Sequence, residues 1–369
     1  MLSKTKKDSQ KTGINGFVKP VGNGLCLLLL LLATGVTFAQ PNSSKGTEFW
    51  VGFMDNLNSS DPSPPISIHL YISSDEAATG KIEIPLTAYS QDFTVPAGGL
   101  IDIVIPTINC LVTSSETAEP KGIRVTADKL ITVYALNHKN TSSDAAIILP
   151  ERALGSAYMA MSYPAFDAEN PSQILIVATV DNSQLQITAS SATIGGACAY
   201  VPITCGFCDH LFQKMTPLSV LGRQFISIPL ATRNGDEFRI LAAEDNTAIS
   251  LNGSSGFILN AGEYADTLLI TSSMISADKS IAMAQYSRGG TCDGMLDSDP
   301  FMILMNPVEQ SIKEITFNSF SSSLITSYYL NILIRTSDIS TVKLDGTTLA
   351  STSLNPVPAS PDYTYRQIN

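Results

Sequence analysis

The chain has 369 residues, of which 44% are hydrophobic and only 15% are charged, and its formal net charge is −11. This length leaves room for two or three domains with cores of their own, and the negative surface disfavours a nucleic-acid partner because it repels phosphate backbones. Few charges, many β-branched residues and frequent turn formers favour short antiparallel strands over amphipathic helices.

The first forty residues have the pattern of an export signal. A lysine-bearing start precedes an apolar run at residues 25–32, and small residues follow at Thr37 and Ala39, which suits a signal peptidase. A membrane anchor is the alternative, but about a dozen apolar residues do not cross a hydrocarbon core ~30 Å thick. We therefore predict a signal peptide at residues 1–39, a secreted or extracellular protein, and no transmembrane segment in the mature chain.

Short strands are predicted along the first part of the mature chain. Residues 66–72 alternate between apolar and polar side chains, as a half-buried strand does, and Pro and Gly turns separate the strands that follow. Residues 123–126 and 130–136 are expected to form a hairpin whose turn is Ala127-Asp-Lys129. The Asp and Lys are interpreted as turn and solvent-facing residues, and a ligand contact through Asp128 is the alternative.

Parts of this pattern recur, so the chain contains internal repeats. Residues 257–262 repeat residues 93–98, and residues 276–281, which include Asp278, repeat residues 126–131. The predicted segments are a signal peptide (1–39), a first β module (40–154), a second, shortened β module with a Cys-rich loop (155–221), a third β module (222–311) and an incomplete fourth β module (312–369). The chain is therefore expected to be a fragment of a longer protein, and the shortening of the second module is either a natural deletion or a gene-model error.

The predicted fold class is all-β, with tandem antiparallel β-sandwich-like repeats. Hairpins are expected at residues 174–187, 238–251 and 328–344, and the first two turn around Asp-Asn pairs, which tolerate left-handed backbone angles. About eight short strands per full repeat is too many for one propeller blade and suits a small sandwich. A β-propeller-like ring, in which each repeat supplies two blades, is the alternative.

A series of short motifs carries a resemblance to a known family. In chain order they are Gly46-Thr-Glu-Phe-Trp50, Lys121-Gly-Ile-Arg-Val-Thr-Ala-Asp-Lys129, Ser162-Tyr-Pro164, Cys205-Gly-Phe-Cys-Asp-His210, Pro229-Leu-Ala-Thr-Arg233, Cys292-Asp-Gly294 and Pro307-Val-Glu-Gln310. Together they resemble the amino-terminal domain of the IgGFc-binding protein family, over roughly residues 46–345. The resemblance implies a secreted bacterial member that binds a protein or a glycan, with no catalysis and no cofactor.

Three functions remain open at this point. The first is a non-catalytic binding or adhesion module at the cell surface, although no antibody-contacting residue maps onto this sequence. The second is a stiff spacer in a larger bacterial surface or gliding-associated protein. The third is a hydrolase with paired carboxylates, which requires two acidic side chains that converge in one pocket.

The cysteines are the most prominent candidates for chemistry. In an exported protein disulfides are the default, and the candidates are Cys198, Cys205, Cys208 and Cys292. The alternative is a zinc site of Cys198, Cys205, Cys208 and His210, because three thiolates and an imidazole form an allowed tetrahedral set. The Cys208 and His210 pair lacks a recognisable orienting group and oxyanion donors, so catalysis by this pair is not predicted.

The remaining candidates have simpler interpretations. Asp293, Asp297 and Asp299 form an acidic loop that is expected to be a solvated turn, with calcium binding as the alternative. Trp50 is the only tryptophan and is expected to pack in the core, with a sugar-stacking surface as the alternative. His69 and His138 are interpreted as ordinary surface or core-edge histidines.

Overall fold

A computed structural model describes most of the chain beyond the predicted leader. The described residues are 44–56, 65–114, 117–139, 142–161, 173–186, 216–218, 221–288, 301–315, 317, 319, 327–349 and 353–369. Their regular structure is almost entirely β, apart from the single helical turn α1 (Thr107–Cys110) and three short 3-10 segments, Glu151–Ala153, Val308–Gln310 and Thr336–Thr341. The predicted all-β class is confirmed.

The first large sheet is built around one long strand. Its strands are β1 (Gly46–Val51), β3 (Ser67–Ser74), β4 (Ala78–Glu83), β5 (Ser90–Val95), β6 (Gly99–Ile105), β8 (Ile123–Lys139) and β9 (Ser142–Ile148); β2 (Phe53–Met54) and β7 (Leu111–Val112) form a separate parallel pair. The first half of β8 pairs with β1 and β4, whereas its second half pairs with β3 and β9. One layer is therefore β1-β8-β4-β5 and the other is β9-β8-β3-β6. We call this unit the first sandwich, in which a strand passes from one layer to the other at a bend.

The bend of β8 replaces the expected hairpin around Ala127, Asp128 and Lys129. That prediction is wrong, because β8 continues through all three residues and never folds back on itself. Its register with β1 shifts at the same place, between Gly46 and Glu48, which is the mark of a β-bulge. A bulge bends a strand without ending it, so the break in the apolar pattern resembles a turn in sequence.

A single core fills the space between the two layers. Its members alternate along every strand with residues that point outward. The largest side chains with almost no exposed surface are Phe49, Ile68, Leu70, Ile72, Ile82, Ile84, Ile105, Ile123 and Ile131. Burial of branched aliphatic and aromatic side chains at this density is what holds the layers face to face, at about 1.5–3 kcal/mol for each side chain.

A second sandwich repeats the first in detail. Its strands are β12 (Gly222–Ser227), β13 (Asp236–Ala242), β14 (Thr247–Leu251), β15 (Ser254–Leu259), β16 (Tyr264–Leu269), β17 (Ser273–Tyr286) and β18 (Met302–Leu304). Their order, β15-β14-β17-β13-β16 with β12 and β18 on β17, matches that of the first sandwich strand for strand. The predicted repeat of residues 93–98 by residues 257–262 is confirmed, since β5 and β15 lead into equivalent turns in which Gly98 and Gly262 have φ of 66° and 81°.

The same topology shows that the hairpin expected at residues 238–251 is wrong. β13 and β14 follow each other in sequence, but β17 lies between them, so the connection crosses from one layer to the other. The Asp-Asn turn is present, with Asn246 at φ 54°. Local turn chemistry was thus readable, whereas the partner of each strand was not.

Small elements complete the described chain. β10 (Tyr158–Met159) pairs with β11 (Thr216–Pro217), and Met159 and Met161 pack beside Leu241 and Ala284 on the second sandwich. β19 (Leu330–Arg335), β22 (Asn355–Pro356) and β23 (Tyr363–Ile368) form a three-stranded sheet, and β20 (Lys343–Leu344) pairs with β21 (Thr347–Thr348). Through Tyr363 this sheet joins a cluster with Ile226 on the outer face of β12.

Two further hairpin predictions fail in these regions. The strand expected to pair within residues 328–344 is β19, but its partner is the distant β23, and a 3-10 segment follows it. Among residues 173–186 the turn at Asn182 is present, with φ 60°, yet no strand flanks it in that described stretch. Both regions have the apolar alternation of strands, but neither pairs with the neighbouring segment of sequence as the hairpin predictions required.

A glycine begins each sandwich because a proline ring lies against it. A Cβ added to Gly46 would lie 2.3 Å from Cβ of Pro150, and one added to Gly222 would lie 2.1 Å from Cβ of Pro307. Both prolines immediately precede a 3-10 segment that closes its sandwich. The opening and closing ends of each unit therefore meet at a contact that only glycine permits.

We expect Gly222→Ala to destabilise the second sandwich by about 1–3 kcal/mol, because the added methyl group overpacks the contact with Pro307. Urea unfolding followed by far-UV circular dichroism measures this change. The neighbouring exposed substitution Gln224→Ala is the control and is expected to stay within about 0.5 kcal/mol. Equal stability of the Gly222→Ala variant and the wild type would contradict the close contact.

Candidate functional site

The outer face of one layer of the first sandwich gathers polar side chains from two strands. Alternation along β3 turns its isoleucines and leucine into the core and leaves Ser67, His69 and Tyr71 on the opposite face. On the neighbouring strand β6, Asp102 lies directly opposite Tyr71. We call these four residues the polar face.

His69 is held between a carboxylate and a hydroxyl. Its Nδ1 lies 2.9 Å from Oδ1 of Asp102 and 3.2 Å from Oδ2, and its Nε2 lies 3.0 Å from Oγ of Ser67. An ionised carboxylate only accepts hydrogen bonds, so the proton of a neutral imidazole belongs on Nδ1. Nε2 is then the acceptor, and the Ser67 hydroxyl donates to it.

Tyr71 braces the imidazole from the side. The rings of His69 and Tyr71 are stacked, with centroids 5.9 Å apart and planes 9° from parallel. Burial, and secondarily the Asp102 carboxylate, raises the pKa of the Tyr71 phenol. The side chain of His69 keeps 17% of its surface exposed and that of Asp102 keeps 43%, so the polar face is reachable from solvent while its groups fix one another.

The second sandwich carries different chemistry at the same positions. Arg239 occupies the position of Tyr71, and Asp266 occupies that of Asp102. The Arg239 Nε and an Nη each donate to the Asp266 carboxylate at 2.7 Å, and the ring of Tyr264 lies 3.9 Å from the guanidinium carbon. Burial lowers the pKa of Arg239, but the hydrogen bonds to Asp266 outweigh it and the net shift is upward. This arrangement is an ion pair with a buried guanidinium and a partly exposed carboxylate, whereas the first sandwich presents an imidazole and a hydroxyl.

Trp50 lies outside the core, contrary to expectation. Its neighbour Phe49 is fully buried, so alternation on β1 directs Trp50 to the outer face, where it is half-buried. The guanidinium carbon of Arg124 lies 5.8 Å from the indole centroid, and Glu48 accepts from both Arg124, at 2.9 Å, and the indole N–H, at 3.3 Å. The hydrogen bond from Arg124 lowers the pKa of Glu48. Trp50 is therefore fixed on the surface by charged neighbours.

The repeated aspartates at the bends have a backbone role. Asp128 accepts a hydrogen bond from the backbone N–H of Thr79 at 2.7 Å, and Asp278 accepts one from Ala248 at 2.8 Å. The hydrogen bond from Thr79 lowers the pKa of Asp128. Each carboxylate thus ties the bent strand to the start of the strand that pairs with it.

Acidic side chains also converge in a charged cleft of about 300 Å³ beside the first bend. Asp75, Glu76 and Asp128 line it together with two lysines. Lys45 pairs with Asp75, and Lys129 lies 3.9 Å from Glu76. Hydrolysis by paired carboxylates needs one of them protonated, but the pKa of Asp128 is lowered and the others are near cations. This cleft does not have the electrostatics of a carboxylate pair for hydrolysis.

Comparison with known families gives a match in the second half of the chain. Residues 191–369, which include the second sandwich, match the family model described as IgGFc binding protein. This part of the chain belongs to the IgGFc-binding family. The first sandwich lies before the matched residues, although its strand order is the same.

A curated relative agrees with the family assignment. The human IgGFc-binding protein is 22% identical over an alignment that covers 51% of this chain and 4% of that protein. The chain therefore corresponds to a small part of a much longer relative.

Solved structures show only weak likeness. A lectin from Pleurotus ostreatus in complex with GalNAc is 12% identical, with 71% of this chain and 77% of that chain covered and a TM-score of 0.20. An anti-sigma factor domain-containing protein from Clostridium clariflavum is 9% identical, with 70% and 83% covered and a TM-score of 0.13. Scores this low support no conclusion about fold or ligand.

The predicted cysteine and calcium sites lie outside the described residues. These are Cys198, Cys205, Cys208, His210, Cys292, Asp293, Asp297 and Asp299. Within the described part of the chain, Cys110 is a buried free thiol, and burial raises its pKa to about 12, which makes it unreactive. The same residues contain no group of three or more potential metal ligands and no helix long and apolar enough to span a membrane.

The polar face was not anticipated from the sequence. Ser67 and His69 are two residues apart on a strand, so their shared face was readable from the alternation. Asp102 lies 33 residues after His69, and only the register of β3 with β6 brings it opposite. A prediction of strand pairing, rather than of strands alone, is the signal that would have found this site.

Proposed function

We propose that the chain is a secreted, non-catalytic binding and adhesion module that recognises a protein or a glycan at the bacterial cell surface. Membership of residues 191–369 in the IgGFc-binding family supports a binding role. We further propose that the polar face of the first sandwich contacts the ligand. The observation that carries this is the convergence of an aromatic ring, an imidazole and a carboxylate on one solvent-reachable sheet face.

The chemistry of the polar face suits such ligands. Tyr71 combines an apolar ring with a polar tip, a side chain enriched where proteins bind partners. Asp102 and His69 offer charged and neutral hydrogen-bonding groups that are already oriented, so binding loses little side-chain entropy. At the edge of the same face Val104 is 55% exposed and supplies apolar surface.

The experiment is a screen of the exported chain against glycans and extracellular proteins, followed by affinity measurements with the best ligand. We expect Asp102→Ala to weaken binding at least about tenfold, as loss of a central contact does. Asp92→Ala removes an exposed carboxylate from β5 in the other layer and is expected to change affinity less than about twofold. Equal affinities of the Asp102→Ala and Asp92→Ala variants would show that the ligand does not bind at the polar face.

A spacer role in a larger surface protein is the second candidate. Two sandwiches of identical strand order in one chain, related to a far longer protein, favour it. We propose the module boundaries at residues 154, 221 and 311 for this arrangement. Limited proteolysis of the exported chain tests them, because a stiff array of modules is cut first at its junctions.

A further inference from the structure

We propose that Ser67 is an activated nucleophile that accepts an acyl group from a carboxylic ester, with His69 as its general base and Asp102 as the positioning residue. This goes beyond ligand binding, since it gives the polar face a covalent step. The signature of an activated serine is a nucleophile within hydrogen-bond reach of a base that a third group orients. Ser67 Oγ, His69 Nε2 and Nδ1, and Asp102 Oδ1 meet that description at 3.0 and 2.9 Å.

With a neutral imidazole, the Asp102 carboxylate sets the directions of these hydrogen bonds. Asp102 accepts from Nδ1, which leaves the lone pair of Nε2 for the Ser67 proton. The same tautomer is required of the histidine in a Ser-His-Asp triad. The stacked Tyr71 ring limits rotation of the imidazole, so the base stays aimed at the hydroxyl.

Another serine and histidine on the same strand system show what is special here. His138 Nδ1 lies 2.7 Å from Oγ of Ser143, but the Ser143 hydroxyl donates its proton to the carbonyl oxygen of Lys139 at 3.0 Å. Its oxygen therefore accepts from the imidazole, and its proton is not directed at a base. Ser143 is a matched control in which serine and histidine are close but the serine is not activated.

The second sandwich supplies a further contrast. The position of His69 is occupied there by Glu237, and that of Tyr71 by Arg239. Its carboxylate, Asp266, is engaged by a guanidinium instead of an imidazole. The nucleophile is thus a property of the first sandwich alone among the two described repeats.

The step balances without any redox partner. Ser67 Oγ forms a bond to the ester carbonyl carbon as its proton passes to His69 Nε2. The bond from that carbon to the alkoxide then breaks, and the proton from Nε2 leaves with the alcohol. The products are an acyl ester on Ser67 and one alcohol molecule, so the step is a single covalent transfer to the protein and not turnover.

The test uses p-nitrophenyl acetate with the full exported chain. We expect a burst of one p-nitrophenolate per chain and one acetyl group at Ser67 by peptide mass mapping. Acetylation of Ser67 is expected to be at least about 100-fold faster than that of Ser143, the range in which a general base contributes. His69→Ala and His69→Gln are expected to abolish this advantage, and Asp102→Asn to reduce the rate at least about tenfold.

Separate readouts distinguish chemistry from folding. Added imidazole is expected to restore acetylation in the His69→Ala variant, which a purely structural histidine would not allow. Asp102→Asn is expected to remove the downfield Nδ1 proton resonance of His69 while the thermal midpoint stays near that of the wild type. Absence of a Ser67 acetyl group, or equal rates at Ser67 and Ser143, overturns the proposal. Ligand affinity of the unmodified wild-type chain is a separate measurement, so a failure of acetylation at Ser67 would leave the binding role standing.

Discussion

Replacement of Asp266 by alanine is expected to destabilise the second sandwich by about 2–3 kcal/mol, because the buried Arg239 guanidinium loses the partner of two charge-assisted hydrogen bonds. Arg239 is only 3% exposed, and both of its hydrogen bonds to Asp266 are 2.7 Å long. Without the carboxylate the guanidinium stays charged and buried but loses both of these hydrogen bonds. The contact with the Tyr264 ring remains in the variant and offsets part of that cost.

The matched control is Asp102→Ala, the same change at the equivalent position of the first sandwich. There the carboxylate contacts an imidazole and a phenol, neither of them buried as Arg239 is, and is 43% exposed, so we expect a loss of about 1 kcal/mol. Urea unfolding by far-UV circular dichroism follows both sandwiches, while fluorescence of the single tryptophan, Trp50, follows the first. Comparable losses of unfolding free energy in the Asp266→Ala and Asp102→Ala variants would mean that the Arg239–Asp266 pair adds no more stability than the His69–Asp102 contact.

Strand prediction succeeded where the apolar alternation of a single strand matched the burial of its side chains. The alternation of residues 66–72 predicted β3 correctly. Such alternation depends on local burial, in which every second side chain enters one core. Partnering depends on residues far away in sequence, and there the prediction failed: β14 seemed to pair with β13, yet β17 separates them.

The bends of β8 and β17 show a second limit. Ala127, Asp128 and Lys129 interrupt the apolar pattern as a turn does, and Asp is a common turn residue. In the structure the Asp128 carboxylate accepts a hydrogen bond from the backbone N–H of Thr79, almost fifty residues earlier in the sequence. The same residue types therefore occur in turns and in strand bends. Pairing with a neighbouring strand determines which of the two forms.

The candidate site combines both limits. The sequence placed Ser67 and His69 on one strand, and the interpretation of His69 as an ordinary histidine followed from its isolation in sequence. Its hydrogen bond to Asp102 needs the register of two strands, β3 and β6, since a slip of one residue would turn Asp102 into the core. Alternation alone also does not tell which of Phe49 and Trp50 faces the core. The register of β1 with β8, which shifts between Gly46 and Glu48, decides it.

Phe49 and Phe225 are equivalent anchors of the two cores. Phe49 pairs with Val125 and is fully buried, whereas Phe225 pairs with Ile275 and is 1% exposed. Each lies on the opening strand of its sandwich and reaches between the two layers. Truncation of either side chain to alanine leaves a cavity that the surrounding strands fill only in part.

We expect Phe49→Ala to destabilise the first sandwich by about 3–5 kcal/mol, through lost burial and the cavity that remains. Trp50, the adjacent residue, reports this directly, so the fluorescence midpoint in urea should fall while the remaining circular dichroism transition persists. Phe225→Ala carries the same deletion in the second sandwich and is expected to leave the Trp50 midpoint within experimental error. If both variants lower that midpoint equally, the two sandwiches unfold as one cooperative unit. The first sandwich then has no independent unfolding transition.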